Sequence, residues 1–202
     1  MIKFRQLKDS DNIYQIADFI YQTDRTFDKL FKNRKNSIKA IGMMIKSDIV
    51  NPYHRKFLTV AYDEDHDGDI LGIVLAYRGE DFTYSDVKSA LSETGCSNFI
   101  KINLFPLYDY LFASHVGDND YYIGNLFVNP NFRHNRLGSK LVNFCIDKAK
   151  DLNCDSVMLD VEYFKKELPN FYMKLGFKYD SKHWIDFLGY SNGCYGMKLS
   201  LK

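Results

Sequence analysis

The sequence predicts a mixed α/β protein with one central sheet, and three observations support this fold class. Its 202 residues fit one full-sized domain and are too few for two ordinary ones. Apolar residues make up 46% and charged residues 26% of the chain, as in an ordinary folded globular protein. Strand-like segments dominate the first half, whereas strands and helices alternate in the second half.

The first half contains three segments whose alternating or branched apolar residues predict β-strands. These segments are 2–7, 57–62 and 70–77. The Asp/Gly-rich residues 63–69 between the last two are typical of a hairpin turn. Apolar residues at helical spacing predict helices over 11–23 and 37–50, and Pro52 is expected to stop the second helix.

The second half predicts further strands, at 121–128, 156–161, 177–179, 183–187 and 195–201. Helical spacing predicts helices over 137–149 and 165–175, and Gly176 is expected to end the second of them. Residues 80–119, between the two halves, are predicted to form an insertion with helical pieces such as 87–91.

The charge balance argues against two classes of partner. Lys and Arg number 27 against 26 Asp and Glu, so the formal net charge is +1. A near-neutral chain has no overall field that attracts nucleic acid or an anionic membrane, so neither is expected as a partner. Residues 1–8 alternate charged and apolar side chains, unlike a signal peptide. The four cysteines lack a CxxC pair, which favours reduced, buried thiols and a cytoplasmic location.

No metal site is expected from the spacing of ligand-type residues. The acidic turn 63–69 matches the first half of a calcium-binding EF-hand loop, but Val74 stands where that loop requires Glu. A solvated hairpin turn is therefore favoured. The five histidines show no paired spacing typical of metal ligands.

Residues 128–141, VNPNFRHNRLGSKL, carry the strongest chemical signal. A buried strand leads into a polar turn and then into a helix, whose first N–H groups lack intrahelical partners and attract anions. This junction predicts a pyrophosphate site; an ordinary connection with solvated arginines is the alternative. The expected contacts are Arg133, His134, Asn135, Arg136, Leu137, Gly138 and Ser139.

This junction resembles the GNAT superfamily of acyl-CoA-dependent N-acyltransferases, whose pyrophosphate loop reads Q/R-x-x-G-x-G/A. Arg133 matches the first position and Gly138 the last, while Arg136 replaces the first glycine. Residues 171–177, FYMKLGF, are similar to the family signature F/L-Y-x-x-x-G-F. Residues 159–161, LDV, match the family's L-E-V strand with Asp in place of Glu.

The resemblance implies a particular version of the α/β fold over residues 1–202. It is a mixed, mostly antiparallel central sheet with helices on both faces and a splayed parallel strand pair. The parallel pair would be 121–128 and 156–161, opened by a β-bulge near Asn125. Acetyl-CoA would bind as cosubstrate in the gap, along the backbone of Leu126, Phe127 and Val128.

The resemblance also implies catalytic roles. The Val128 N–H would donate to the thioester carbonyl, and Tyr172 would protonate the departing CoA thiolate. A core aromatic is the alternative for Tyr172. Asp160 or Glu162 would accept the amine's proton through water, but a hydrogen-bonded structural carboxylate is favoured for Asp160. The family often has an asparagine where Lys165 stands, so that cofactor contact is not expected here.

The function implied is transfer of an acetyl or other acyl group to an amine of a small molecule or peptide. A non-catalytic acyl-CoA-binding or sensing module is the alternative, and a homodimer stays open beside a monomer. The acceptor is expected between the aromatic residues of 99–112 and the N-terminal helices, near Tyr21, Asp24 and Asp28. Packing of those aromatic residues onto the sheet is the competing interpretation.

Overall fold

A computed structural model of the protein describes residues 1–65, 69–96, 114–132, 136–187 and 190–202. Within these ranges seven strands form one sheet, in the order β1-β2-β3-β4-β5-β7-β6. They are β1 (Ile2–Gln6), β2 (Leu58–Asp63), β3 (Ile70–Arg78), β4 (Asp120–Val128), β5 (Ser156–Glu162), β6 (Lys178–Phe187) and β7 (Tyr190–Ser200). Every neighbouring pair is antiparallel except β4 and β5, which run parallel.

Helices cover both faces of this sheet. The described chain contains α1 (Ile13–Thr23), α2 (Phe27–Phe31), α3 (Arg34–Lys46), α4 (Tyr84–Glu93), α5 (Leu137–Asp151) and α6 (Leu168–Met173). Helices α1 to α4 pack with one core cluster, and this side is called the α1 face. Helices α5 and α6 pack with a second cluster on the opposite side, the α5 face. None of the described helices is long and apolar enough to cross a membrane.

This architecture confirms the predicted fold class, including the splayed parallel pair. The β4–β5 ladder pairs Asp120 with Ser156 at one end and Ile123 with Leu159 at the other, and then stops. In the β3–β4 ladder the register shifts between Ile123 and Asn125, so Gly124 is the extra residue of a β-bulge. The bulge lies where the sequence predicted it, and it bends β4 away from β5.

The end of the sheet differs from the prediction. The sequence predicted three short strands over 177–179, 183–187 and 195–201. Nearly all of these residues do lie in strands, but they belong to two long strands of one hairpin, β6 and β7. The register shifts between Tyr179 and Ser181, which interrupts the alternation that a sequence pattern relies on.

Helix boundaries differ too. Helix α2 was not predicted, and α6 is shorter than the predicted 165–175. Helix α4 extends beyond 87–91, while residues 97–113 of the predicted insertion lie outside the described residues. All four cysteines lie in the described part of the chain, where they are buried and form no disulfide bond, as expected.

Helix α3 begins at Arg34 and ends at Lys46, so the predicted 37–50 was displaced toward the C-terminus. Its start is set by Asn33, whose side chain accepts the Asn36 N–H at 2.9 Å. Its end is set by the fully buried Asn51. The Asn51 amide donates to the carbonyl of Met44 at 2.9 Å and thereby replaces a further helical turn.

We predict that Asn51→Ala destabilises the protein by about 2–3 kcal/mol, measured by urea unfolding. The substitution removes donors to two carbonyl groups, of Met44 and Ile49, and an acceptor of the Tyr53 N–H. The control is Asn36→Ala on the exposed side of α3, which should change the free energy of unfolding by less than about 0.5 kcal/mol. Similar effects for both variants would contradict this account of the helix end.

Candidate functional site

A gap opens between β4 and β5 beyond their last paired residues, Ile123 and Leu159. Strand β4 continues to Val128 with β3 on one edge, but the described residues place no strand on its other edge. Backbone groups on that edge are therefore available to an extended ligand that carries amide groups.

The direction of the β4 backbone follows from one hydrogen bond. The Asn129 N–H donates to the Leu71 carbonyl of β3 at 2.8 Å. Because N–H groups alternate between the two edges of a strand, the N–H groups of Leu126 and Val128 point away from β3. They face the gap, as expected for groups that bind a pantetheine arm.

The side chains of these residues anchor β4 on both sides of the sheet. Leu126 and Val128 are half-buried against the α5-face core. Phe127 is buried on the opposite side, where its ring stacks on Phe19 of α1 with centroids 4.3 Å apart. The backbone of the gap is thus held rigidly between two helices.

Helix α5 begins next to the end of β4, as the sequence predicted. Arg136 is exposed and adopts a left-handed conformation with φ 57° and ψ 20°. Its carbonyl accepts the Lys140 N–H at 3.0 Å, but its side chain caps no N–H group. In a helix that starts at Leu137, the first N–H groups have no acceptor within the helix, so they can bind an anion.

The left-handed conformation explains the glycine that the family pattern has at Arg136. Glycine adopts positive φ without steric cost, whereas other residues lose about 1 kcal/mol or more. Arginine here accepts that cost and adds an exposed cation beside the helix start. Arg133, His134 and Asn135 lie outside the described residues, so their phosphate contacts stay predictions.

Gly138 faces inward, toward the rest of the site. A Cβ atom built on it would lie 3.5 Å from Cζ of Phe171 and 3.8 Å from Cγ2 of Val128. The glycine therefore lies between the end of β4 and α6. The two motifs found in the sequence, around Gly138 and Phe171, are in contact.

Tyr172 lies on the α5 face in α6, with 7% of its surface exposed. Its ring contacts those of Phe171 and Phe177, at centroid distances of 4.9 and 5.8 Å. Burial raises the pKa of the Tyr172 hydroxyl, and the Cys145 thiol acts in the same direction. Burial also raises the pKa of that thiol, to about 12. Tyr172 is thus a core aromatic residue that keeps its proton at neutral pH.

Asp160 is a hydrogen-bonded carboxylate, as the favoured interpretation predicted. It accepts the N–H and hydroxyl groups of Ser114, at 2.9 and 2.7 Å, and the Tyr122 hydroxyl at 2.8 Å. Leu159 and Val161 belong to the α5-face core, so alternation places Asp160 on the α1 face. Burial, followed by the charge of Asp160, raises the pKa of the Tyr122 hydroxyl.

Glu162 and Lys165 connect the end of β5 to helix α1. The Lys165 ammonium forms an ion pair with Glu162 and donates to the Thr23 carbonyl at 2.8 Å. The Thr23 hydroxyl accepts the side-chain amide of Asn125, at 2.8 Å. Lys165 thus holds the end of α1 beside the gap. The comparison with the family pattern, which often has asparagine at this position, did not predict this role.

The residues expected to line the acceptor side have partners of their own. The Tyr21 hydroxyl and the Ser37 hydroxyl both donate to Asp28, at 2.8 and 2.7 Å. Asp24 accepts the Thr26 N–H at 2.8 Å, which fixes the turn between α1 and α2. The aromatic residues of 99–112 lie outside the described residues.

Sequence reasoning missed Ser114 and Tyr122, the partners of Asp160. Ser114 is 46 residues from Asp160 in the chain, and no local pattern joins them. Tyr122 could have been found from its position, because it lies just before the β-bulge that the sequence predicted on β4.

Comparisons with known proteins agree with this geometry. The chain is 34% identical to N-alpha-acetyltransferase 30 of Dictyostelium discoideum over 56 residues, which are 28% of this chain and 30% of that protein. It thus spans less than a third of that relative. A crystal structure described as an acetyltransferase has a TM-score of 0.69 and 18% identity, covering 99% of this chain and 100% of the other.

A second solved structure is described as the NatC complex bound to Gag peptide and CoA. Its matching chain has a TM-score of 0.59 and 16% identity, and the match covers 100% of this chain and 99% of the other. At these identities the likeness shows the fold alone.

A mostly antiparallel sheet with one diverging parallel pair beside a helix start defines the fold class of acetyltransferases. The sequence model described as "Acetyltransferase (GNAT) family" matches residues 44–177, about two thirds of the chain. The protein belongs to the GNAT acetyltransferase family.

We predict that Arg136→Gly is more stable than Arg136→Ala by about 1 kcal/mol, because only glycine adopts positive φ without steric cost. Both substitutions remove the same guanidinium, so their difference isolates the backbone conformation. Urea unfolding of the two variants measures it. Equal stability would show that Arg136 is not held in the left-handed region.

Proposed function

We propose that the protein transfers an acetyl group from acetyl-CoA to an amine of a small molecule or peptide, by direct attack of the amine on the thioester. The observation that carries this proposal is the unpaired edge of β4, with the Leu126 and Val128 N–H groups facing the gap next to the start of α5. Family membership supports it.

The geometry suits acetyl-CoA at both ends of the gap. The Val128 N–H offers a donor for an amide of the pantetheine arm. The start of α5 offers N–H groups and the Arg136 cation for the pyrophosphate. A related fold has been solved with CoA bound, which supports the same cosubstrate here.

Two residues would act on the thioester. The Leu126 N–H, close to the point where β4 and β5 diverge, would donate to the carbonyl oxygen and stabilise the negative charge that develops during attack. Val128, expected from the sequence in this role, lies beside Gly138 at the pyrophosphate end of the gap. Tyr172 would give its proton to the departing thiolate. Burial keeps that proton on the phenol, and the same apolar surroundings raise the proton affinity of a thiolate formed beside it.

The attacking amine needs to lose a proton, since alkyl amines have a pKa near ~10.4 in water. Asp160 is the proposed acceptor of this proton, acting through Tyr122 or through water. It lies on the α1 face, whereas Tyr172 lies on the α5 face. Asp160, which would take the proton of the amine, and Tyr172, which would protonate the thiolate, would therefore act from opposite sides of the sheet.

The amine acceptor would approach from the side of α1 and α2. Peptide N-termini deserve the first trial, because N-alpha-acetyltransferase 30 is a relative and a peptide is bound in one of the similar structures. Small amines form the second arm of the same test.

We predict that the protein releases free CoA from acetyl-CoA when a suitable amine is supplied. The measurement is thiol release with a panel of peptides with free N-termini, polyamines and amino acids, and N-acetylated copies of each acceptor serve as controls. Acetyl-CoA binding by calorimetry without turnover on any amine would favour the non-catalytic binding module. No binding at all would contradict both functions.

We predict that Tyr172→Phe lowers kcat by roughly 10²-fold, because the ring stays and the acidic proton is lost. The dissociation constant of acetyl-CoA should change by less than about threefold. Tyr14→Phe, on the exposed surface of α1, is the matched control and should keep the parental rate. A Tyr172→Phe variant with the parental kcat under chemistry-limited conditions would leave Tyr172 as a packing residue only.

A further inference from the structure

A continuous chain of hydrogen bonds crosses the sheet on its α1 face. The Tyr122 hydroxyl contacts Asp160 at 2.8 Å, and Asp160 contacts the Ser114 hydroxyl at 2.7 Å. The Ser114 and Ser181 hydroxyl groups are 3.1 Å apart, and Ser181 is 3.1 Å from Nε2 of His183. We call this series of five side chains the Tyr122–His183 chain.

Sheet order makes the chain possible. Strands β4, β5, β7 and β6 lie side by side, and the chain crosses all four. It passes over β7 at Gly196, which pairs with both Asp160 and Ser181. A Cβ atom at Gly196 would lie 2.1 Å from the hydroxyl oxygens of both Ser114 and Ser181. Only glycine leaves room for the two serines to meet there.

One end of the chain lies at the gap and the other near the surface. Tyr122 is in the last stretch of β4 that still pairs with β5, and its ring lies 3.6 Å from where a Cβ of Gly124 would be. Its hydroxyl thus bridges the two strands where they begin to diverge. His183 is half-exposed on β6, so its ring can exchange protons with water.

We propose that the Tyr122–His183 chain is a proton relay, which takes the proton of the attacking amine at the gap and delivers it to His183. The proposal deepens the proposed acetyl transfer and rests on it. The relay gives the half-buried carboxylate a path for its proton to His183 after each turnover.

The transfer balances at every atom. The amine N–H bond breaks as its proton moves to the Tyr122 oxygen, and the Tyr122 proton moves to Asp160, which leaves the nitrogen lone pair free to attack. Tyr122 contacts Oδ2 of Asp160 and Ser114 Oγ contacts Oδ1, so the protonated carboxyl group rotates to present its proton to Ser114. The two serine hydroxyls then turn toward His183. Asp160 gives its proton to Ser114, Ser114 gives its own to Ser181, and Ser181 gives its own to Nε2 of His183.

The pKa shifts of the groups around Asp160 are consistent with proton transfer from Tyr122 toward His183. Burial and the neighbouring carboxylate raise the pKa of Tyr122, so the phenol passes protons on without staying ionised. The pKa of the Cys194 thiol is raised by burial and by Asp160, so this neighbouring thiol stays protonated.

A purely structural network makes a different prediction. Asp160 keeps its donors from Ser114 and Tyr122 whether or not Ser181 and His183 are present. Removing Ser181 or His183 therefore leaves the carboxylate satisfied and interrupts only the path to the surface.

The experiment measures steady-state kinetics of CoA release for Ser181→Ala, His183→Ala and the double variant, with the best amine from the panel. We expect each single variant to lower kcat at least about tenfold, while the KM for acetyl-CoA stays within about twofold. The double variant should be no slower than the slower single variant, because both break the same path.

Imidazole in the assay buffer should restore part of the His183→Ala rate. The matched control is His54→Ala, a half-exposed histidine before β2 that should keep the parental kcat with or without imidazole. Parental kcat in folded Ser181→Ala and His183→Ala would overturn the relay and leave acetyl transfer standing. A wild-type protein without turnover on any amine would overturn both, and the two failures are thereby distinguishable.

Discussion

The β-bulge at Gly124 is the constraint on which the rest of the site depends. It ends the β4–β5 ladder, turns the edge of β4 toward the gap and places the buried Asn125 amide against Thr23 of α1. Without the extra residue, β4 would continue pairing with β5, and the Leu126 and Val128 N–H groups would be used within the sheet. Lys165 completes the arrangement from the other strand by holding the same end of α1.

The sheet separates the chemistry into two sides. The α5 face carries the start of helix α5 with Gly138, and also Phe171 and Tyr172 of α6. Asp160 and its hydrogen-bond partners lie on the α1 face. In the proposed reaction, groups from both sides would act on one ligand in the gap.

Much of the fold could be predicted because several elements carry a strong local signal. Strands β2 and β3 are continuous runs of mostly apolar, buried residues, and helix α5 has its apolar residues at helical spacing. The turn before α5 stands out by its polarity. The end of α3 could not be predicted this way, because Asn51 replaces a helical turn through a side chain. The partners of Asp160 were equally inaccessible, since Ser114 reaches it from a distant part of the chain.

Burial of Cys145 has a consequence for the proposed use of acetyl-CoA, a thioester. Thiolates, not thiols, attack a thioester, and an acyl group moved to a cysteine would inactivate the site beside Tyr172. Because burial raises its pKa to about 12, the Cys145 thiol stays protonated at pH 7. Packing α5 tightly against the sheet therefore also protects the protein from acylating itself.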